Sequence, residues 1–229
     1  MVDPKTSSFF SGLTVTLKNV RVGKEQSDIL LATDFNVFDY IRPVENTLSD
    51  IVADLLNPVG MHGQGDAFLV AFLRHLNSPI LKDLQASGTR AAKVTRESTT
   101  NRIPRSTRRI DITVELGGLG VGIENKPWAP DLPDQVADYV NQLERTYQGR
   151  FHFVYLSPNG TPPKSLAKEK VEDLVSCGKL SIWAYSRGLR DWLRECERSC
   201  EADKVRWFLR DFQSYVANEF SAPEPEGES

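Results

Sequence analysis

Two acidic residues and one lysine occur where strand geometry can bring their side chains together. Glu124 and Lys126 are two positions apart in the mostly apolar segment 121–126, so both side chains point to the same face of a strand. Asp111 lies on the polar side of segment 109–116, in which apolar and polar residues alternate. A Gly-Gly pair separates the two segments and predicts a hairpin turn. A central hairpin would therefore bring Asp111, Glu124 and Lys126 to one face of a sheet.

The chemistry of this set indicates a divalent cation and a phosphate. Two carboxylates and an ammonium group are costly to remove from water, and a hard cation offsets that cost. Mg²⁺ prefers carboxylate oxygens and retained waters. A lysine beside it can position or deprotonate a water, while the cation neutralises charge on phosphate oxygens. The alternative is structural: Glu124 and Lys126 lie at an exposed strand edge and Asp111 lies at the surface.

Three residues on predicted helices can approach the same place. Glu45 opens the helix predicted for 45–56 and lies on its apolar stripe, where a carboxylate requires a cation or a donor. As an alternative, the helix dipole favours a glutamate in the first turn. Gln135 and Tyr139 are one turn apart in the helix predicted for 134–147, so both can reach one region. The alternatives are a core position for Tyr139 and a surface position for Gln135.

Hydrophobic periodicity predicts an α/β fold with a mixed central sheet. A hairpin followed by a β–α–β crossover requires helices on both sides of such a sheet. The first 30 residues are ambiguous, although weak alternation over 14–20 suggests a short strand. The predicted helices span 45–56, 66–76, 134–147, 165–174, 189–200 and 202–220, and the predicted strands span 91–98, 109–116, 121–126, 151–156 and 179–185.

The bulk composition excludes several classes of protein. The chain has 229 residues, of which 40% are hydrophobic, and this suits one globular domain. No apolar stretch reaches the roughly 18 residues of a membrane span, and the first 20 residues do not resemble a secretory signal. Three cysteines favour reduced thiols in the cytoplasm. Cys196 and Cys200 lie four positions apart, but no second pair of ligands follows, so zinc is not expected.

The net charge of −3 conceals a local excess of positive charge. Seven arginine and lysine residues and one acid lie between positions 90 and 109. A compact basic segment favours contact with phosphates, against the alternative of a solvated arginine loop. We therefore predict that a nucleic acid contacts this segment. The substrate-binding candidates are Arg102, Arg105, Arg108, Arg109 and Tyr139.

Taken in order, these motifs resemble the PD-(D/E)XK nuclease superfamily, whose restriction-endonuclease-like core has the order αβββαβ. The resemblance rests on segments 109–112 (R-I-D-I) and 123–126 (I-E-N-K) and on Gln135-x-x-x-Tyr139, which is similar to an element of the RecB-like branch. It covers roughly residues 35–160, and its upstream part resembles a group of small bacterial members. Ile110 stands where the name-giving proline would be, and that proline contributes no ligand.

The resemblance implies a nuclease that depends on Mg²⁺, with Mn²⁺ as a substitute. Lys126 would orient the attacking water, and Gln135 would steady the lysine or the substrate. Glu97 matches a glutamate found in the preceding strand and is a lesser candidate. The residues implied as metal ligands are Asp111, Glu124, Glu45 and, through its carbonyl group, Asn125.

The predicted organisation is one domain with additions at both ends. We expect an extension over 1–34, a nuclease core over 35–160, a strand and helices over 161–220 that complete the same domain, and a disordered acidic tail over 221–229. The aromatic residues of the closing helices are expected in the core or in a homodimer interface.

Several functional alternatives stay open at the level of sequence. DNA is favoured over RNA as the substrate, but an RNA-cleaving enzyme would use the same residues. A catalytically silent nucleic-acid-binding module could keep the fold. A third alternative is a nuclease gated by a partner or a nucleotide signal, as in antiviral defence or restriction.

Overall fold

A computed structural model describes residues 4–76, 78–79, 89–99 and 109–221. The chain divides into two compact units, Met1–Val37 and Phe38–Ser229. Helix α1 (Pro4–Leu31) occupies most of the first unit. In the described part of the chain, no helix is long and apolar enough to cross a membrane.

The prediction of a short strand over 14–20 is wrong, because this segment lies inside α1. The alternation that suggested a strand comes from Thr14 and Thr16. In the helix, their hydroxyl groups donate to the carbonyls of Phe10 and Gly12, four residues earlier. Such local bonds let threonine occupy a helix despite its branched side chain.

The second unit is built on a mixed sheet, as the sequence predicted. Among the described residues the sheet has five strands in the order β1-β2-β3-β4-β5. The first three strands are antiparallel, and β4 and β5 add in parallel. The strands are β1 (Lys93–Thr99), β2 (Arg109–Leu116), β3 (Leu119–Asn125), β4 (Phe151–Ser157) and β5 (Leu180–Ala184).

Helices flank this sheet and follow the predicted order. One short π-helix, Tyr185–Leu189, joins β5 to the closing helices. The α-helices of the second unit are α2 (Phe38–Ile41), α3 (Glu45–Leu56), α4 (Ala67–Leu76), α5 (Gln135–Tyr147), α6 (Lys168–Ser176), α7 (Arg190–Ser199) and α8 (Asp203–Glu219).

The β2–β3 hairpin turns at Gly117 and Gly118, which have φ of 53° and 83°. A two-residue hairpin turn of this hand requires positive φ at both positions, which glycine adopts without steric cost. The turn fixes the register Leu116↔Leu119 through Ile112↔Ile123. Asp111 and Glu124 follow directly after this last pair, so the hairpin brings them side by side.

Helices α3 and α5 pack on opposite faces of β3. A Cβ atom on Gly120 would lie 2.0 Å from the Tyr147 ring, so only glycine lets α5 approach this closely. The side chain of Asn125, on the opposite face, donates to Ser49 of α3. The first residues of both helices contact side chains near the end of β3: Glu45 pairs with Lys126, and Gln135 donates to Glu124.

The aromatic residues of α8 pack mainly within the chain. Phe38 of α2 stacks on Phe212 and Tyr215, with ring centroids 5.2 and 5.3 Å apart. Trp192 of α7 is buried and donates to the carbonyl of Phe68. These contacts place Phe212 and Trp192 in the core, one of the two predicted locations, and Tyr215 at its edge. Trp207 is 51% exposed and lies outside the core. The homodimer stays a prediction.

His152 is a fully buried histidine in β4. Its Nδ1 lies 2.8 Å from the carbonyl oxygen of Gly178 and its Nε2 lies 2.9 Å from the Ser181 hydroxyl. The neutral ring satisfies both contacts, with N–H donating to the carbonyl and the other nitrogen accepting from the hydroxyl. Burial lowers the pKa of His152 to about 4.

Acidification is therefore expected to destabilise the fold through His152. The unfolded chain takes up a proton near pH 6.5, whereas the folded chain resists it down to about pH 4. Unfolding thus binds a proton in this window, and stability present above pH 6.5 falls by about 3 kcal/mol as pH approaches 4. Urea unfolding at several pH values, compared with His152→Gln, measures this contribution. An equal loss in both proteins would contradict it.

Candidate active site

Asp111 and Glu124 meet at the end of the β2–β3 hairpin. One oxygen of Asp111, Oδ2, accepts a hydrogen bond of 2.7 Å from the backbone N–H of Asn125. Glu124 is 1% exposed. Burial raises the pKa of Asp111, against the opposing effects of the Asn125 bond and the Lys126 charge. Two carboxyl groups are therefore held together where water does not stabilise their charges.

The two carboxyl oxygens of Glu124 differ in their hydrogen-bond partners. Its Oε1 lies 2.8 Å from the Lys126 ammonium and 2.8 Å from the Gln135 amide nitrogen. Its Oε2 is buried and has no hydrogen-bond partner in the described part of the chain. Burial, and then the charge of Asp111, raise the pKa of Glu124 to about 8. The site thus holds an acceptor that lacks a cation or donor.

Lys126 lies between two glutamates. Its ammonium nitrogen is 2.8 Å from Glu124 and 3.2 Å from Glu45, and its side chain is 11% exposed. Burial alone would lower the pKa of Lys126, but the neighbouring carboxylates, Glu124 first, raise it above its ordinary value. Lys126 is therefore held as a hydrogen-bond donor, so the structure favours positioning of a water over its deprotonation.

Gln135 and Tyr139 of α5 form a hydrogen-bonded chain that ends on Glu124. The Gln135 amide nitrogen donates to Glu124 at 2.8 Å and lies 3.0 Å from the Tyr139 hydroxyl, and its oxygen accepts from the Leu132 N–H. The Tyr139 hydroxyl donates to the carbonyl of Arg109 at 2.7 Å. Gln135 is buried and not at the surface, and Tyr139 is 1% exposed. Tyr139 was predicted to contact substrate, but the structure places it in the core, where it orients Gln135.

The buried side chain of Asn125 is fixed by two residues, Ser49 and Tyr185, that belong to none of the sequence motifs. Its amide nitrogen donates to Ser49 of α3 at 2.8 Å, and its oxygen accepts from the Tyr185 hydroxyl at 2.5 Å. Ser49 has a sequence signal, because it is a polar residue on the apolar stripe of its helix. Tyr185 has none, because it lies 60 residues from Asn125 in a region without a recognised motif.

Tyr185→Phe is expected to destabilise the protein by about 1–3 kcal/mol, because it leaves the buried oxygen of Asn125 without a donor. Chemical unfolding of the variant measures this loss. Tyr215→Phe is the matched control, since it also removes one hydroxyl group but breaks no hydrogen bond found among the described residues. Equal unfolding free energies for the two variants would show that the Tyr185 bond contributes nothing.

The basic segment reaches the site through Arg96. Its guanidinium group donates to the backbone carbonyl of Asp111 and pairs with Asp50 at 2.6 Å. Arg109, at the start of β2, is exposed. Glu97 lies in β1, but its side chain is outside the described residues. The remaining predicted phosphate contacts, Arg102, Arg105 and Arg108, also lie outside them.

The donor set fits a hard divalent cation. Proteins commonly hold Mg²⁺ through one or two carboxylates, with waters completing the shell. Asp111 and Glu124 supply two, and the unpartnered oxygen of Glu124 is an available ligand. In the described ranges no three Asp, Glu, His or Cys side chains already form a cation cage. Two carboxylates and waters do not require such a cage.

Comparison with known proteins agrees with this geometry. The family model described as the PD-(D/E)XK nuclease superfamily matches residues 35–217. That match includes both strands of the hairpin, α5 and the C-terminal helices through most of α8. Searches of curated proteins and of solved structures found no match. The chain belongs to the PD-(D/E)XK nuclease superfamily.

Proposed function

We propose that this protein is a Mg²⁺-dependent nuclease that hydrolyses phosphodiester bonds in DNA. The observation that carries the proposal is the buried oxygen of Glu124 that has no partner among the described residues and is held beside Asp111 and Lys126. A buried carboxylate without a donor is costly unless a ligand completes it. A cation between Asp111 and Glu124 satisfies that requirement.

Each residue of the site has a distinct task in this proposal. Asp111 and Glu124 would hold the cation, and Glu45, which pairs with Lys126, and the carbonyl group of Asn125 are the further candidates for its shell. When bound, Mg²⁺ neutralises charge on phosphate oxygens and lowers the pKa of a bound water. The backbone N–H of Asn125 keeps Asp111 in place.

Lys126 orients the attacking water for in-line displacement at phosphorus. Its ammonium group is fixed by Glu124 and Glu45, so its remaining donor direction is preorganised. Gln135 fixes the rotamer of Glu124 through a hydrogen bond and is itself fixed by the backbone of Leu132. The chain therefore supplies a site whose polar groups are ordered before substrate binds.

The basic segment between residues 90 and 109 supports a nucleic-acid substrate in spite of the net charge of −3. Arg96 already links this segment to the backbone of Asp111. Phosphate contacts made by such a segment would bring the backbone of the substrate to the carboxylates.

A substrate panel tests the proposed function. Purified protein is incubated with supercoiled plasmid, linear duplex DNA, single-stranded DNA and RNA, each with Mg²⁺, Mn²⁺ or EDTA. Cleavage of DNA with either metal and none with EDTA is the expected result. Cleavage of RNA alone would show that RNA, and not DNA, is the substrate. Equal cleavage in EDTA would overturn the proposed metal dependence.

A further inference from the structure

An exposed indole lies two residues after Lys126, in the loop between β3 and α5. Trp128 is 49% exposed, although it is a large apolar side chain. Its Nε1 donates to Glu219 at 3.1 Å, and its ring lies 5.9 Å from the ring of Phe220. The indole is thus anchored at its polar atom and supported by a ring, while much of its surface remains open to a ligand.

Trp128 separates two cavities. The first, of about 260 Å³, is bounded by Lys126, Trp128, Tyr155 and Lys164. The second, of about 360 Å³, is bounded by Trp128, Arg42 and residues of α2 and α8. Because Lys126 lines the first cavity, a group placed there lies next to the candidate active site.

One cation at the first cavity is available to a phosphate-bearing ligand. Lys164 is exposed, and no carboxylate in the described part of the chain pairs with its ammonium group. The acid on this side, Asp131, already accepts hydrogen bonds from the backbone of Lys164 and Ser165 and from the Tyr155 hydroxyl. Burial opposes ionisation of Asp131, but the side-chain hydrogen bond of Ser165 and the backbone bonds of Lys164 and Ser165 lower its pKa, so Asp131 is a carboxylate whose oxygens already have donors.

The second cavity is less suited to a phosphate. Its arginine, Arg42, shares the cavity with Asp39 and Glu219. Glu219 is the acceptor for the Trp128 indole. Lys126 is paired with Glu124 and Glu45, so the cation available to a negatively charged backbone is Lys164, at the first cavity.

We propose that Trp128 is a stacking platform for an unpaired nucleobase, whose phosphate lies toward Lys164. Aromatic side chains stack unpaired bases without sequence preference. In a duplex, both faces of a base are covered by its neighbours, so this platform selects a single strand or an unpaired end. The inference rests on the proposed nuclease function and names its substrate class.

Binding in EDTA tests this inference separately from cleavage. Fluorescence anisotropy at low salt measures the affinity of the wild-type chain for labelled oligothymidylate and for a labelled blunt-ended duplex. The variants are Trp128→Ala, Trp128→Phe and Trp207→Ala. Trp207 is a matched control, because it is 51% exposed, packs over Arg210 and lines neither cavity. Thermal unfolding of each variant establishes that it is folded.

Trp128→Ala is expected to weaken oligothymidylate binding about tenfold or more, while binding of the blunt-ended duplex and the Trp207→Ala variant stay near wild type. Trp128→Phe keeps an aromatic face and should retain most of the affinity. Three results would overturn the inference: no binding of the single strand by wild type, no effect of Trp128→Ala, or an equal loss on the duplex. Because no cleavage is measured, failure of the nuclease proposal would be seen only in the substrate panel.

Discussion

Replacing Lys126 by methionine is expected to slow phosphodiester cleavage by about 10²- to 10³-fold, the usual effect of removing one preorganised donor from a site. Methionine keeps an unbranched apolar stem of similar length. It removes the ammonium group that lies 2.8 Å from Glu124 and 3.2 Å from Glu45. The attacking water then loses its donor, while the β-hairpin and both helices keep their packing.

The Lys126→Met variant should remain folded, because Glu124 can take up a proton when the Lys126 ammonium group is removed. Burial and Asp111 already raise the pKa of Glu124 to about 8, so the carboxyl group can take up a proton and does not remain an unpaired buried charge. Initial cleavage rates and thermal unfolding of the same preparations measure both effects.

Lys179→Met is the matched control for this prediction. Lys179 also pairs with a glutamate, Glu144 of α5, at 3.1 Å, but it directly precedes β5 and lies outside the site. Its replacement should leave the cleavage rate near wild type. A Lys126→Met variant that cleaves as fast as Lys179→Met would remove Lys126 from the mechanism.

Asp111→Asn is expected to abolish the stabilisation of the fold by Mg²⁺. At a concentration 100 times its dissociation constant, a ligand that binds only the folded state stabilises it by about 3 kcal/mol. Asparagine keeps an oxygen to accept from the Asn125 N–H but carries no charge to hold a cation. Thermal unfolding with Mg²⁺ and with EDTA measures the difference in each protein.

Without metal, the Asp111→Asn variant should be at least as stable as wild type. The substitution removes a partly buried charge that raises the pKa of Glu124, so it relieves repulsion between two carboxylates. Asp191→Asn, which changes an exposed acid paired with Arg194 on α7, is the control. An equal Mg²⁺-dependent shift in wild type and Asp111→Asn would contradict the assignment of Asp111 as a ligand.

The contacts that the sequence reveals are those set by local periodicity. The Gly-Gly turn and the two-residue period of β2 and β3 are sufficient to place Asp111 beside Glu124, since a hairpin fixes its own register. The helical period likewise places Glu45 on the side of α3 that carries Leu48 and Ser49.

Contacts between distant segments have no such signal. The hydrogen bond from Tyr185 to Asn125 joins residues on β3 and on the π-helix, and no spacing in the sequence links them. Trp128 lies in a loop, where no period indicates which way a side chain points. In segment 14–20 the sequence has a signal that misleads, because the alternating threonines that predicted a strand lie in a helix.

Cleavage of DNA by wild type and Asp111→Asn, purified in parallel, tests the central claim most directly. Single-stranded and plasmid DNA are incubated with Mg²⁺, with EDTA, and with EDTA followed by excess Mg²⁺. We predict that wild type cleaves with Mg²⁺, stops in EDTA and recovers when Mg²⁺ is restored, while Asp111→Asn is inactive throughout. Equal cleavage by the two proteins would contradict the claim that this carboxylate holds the metal of a nuclease site.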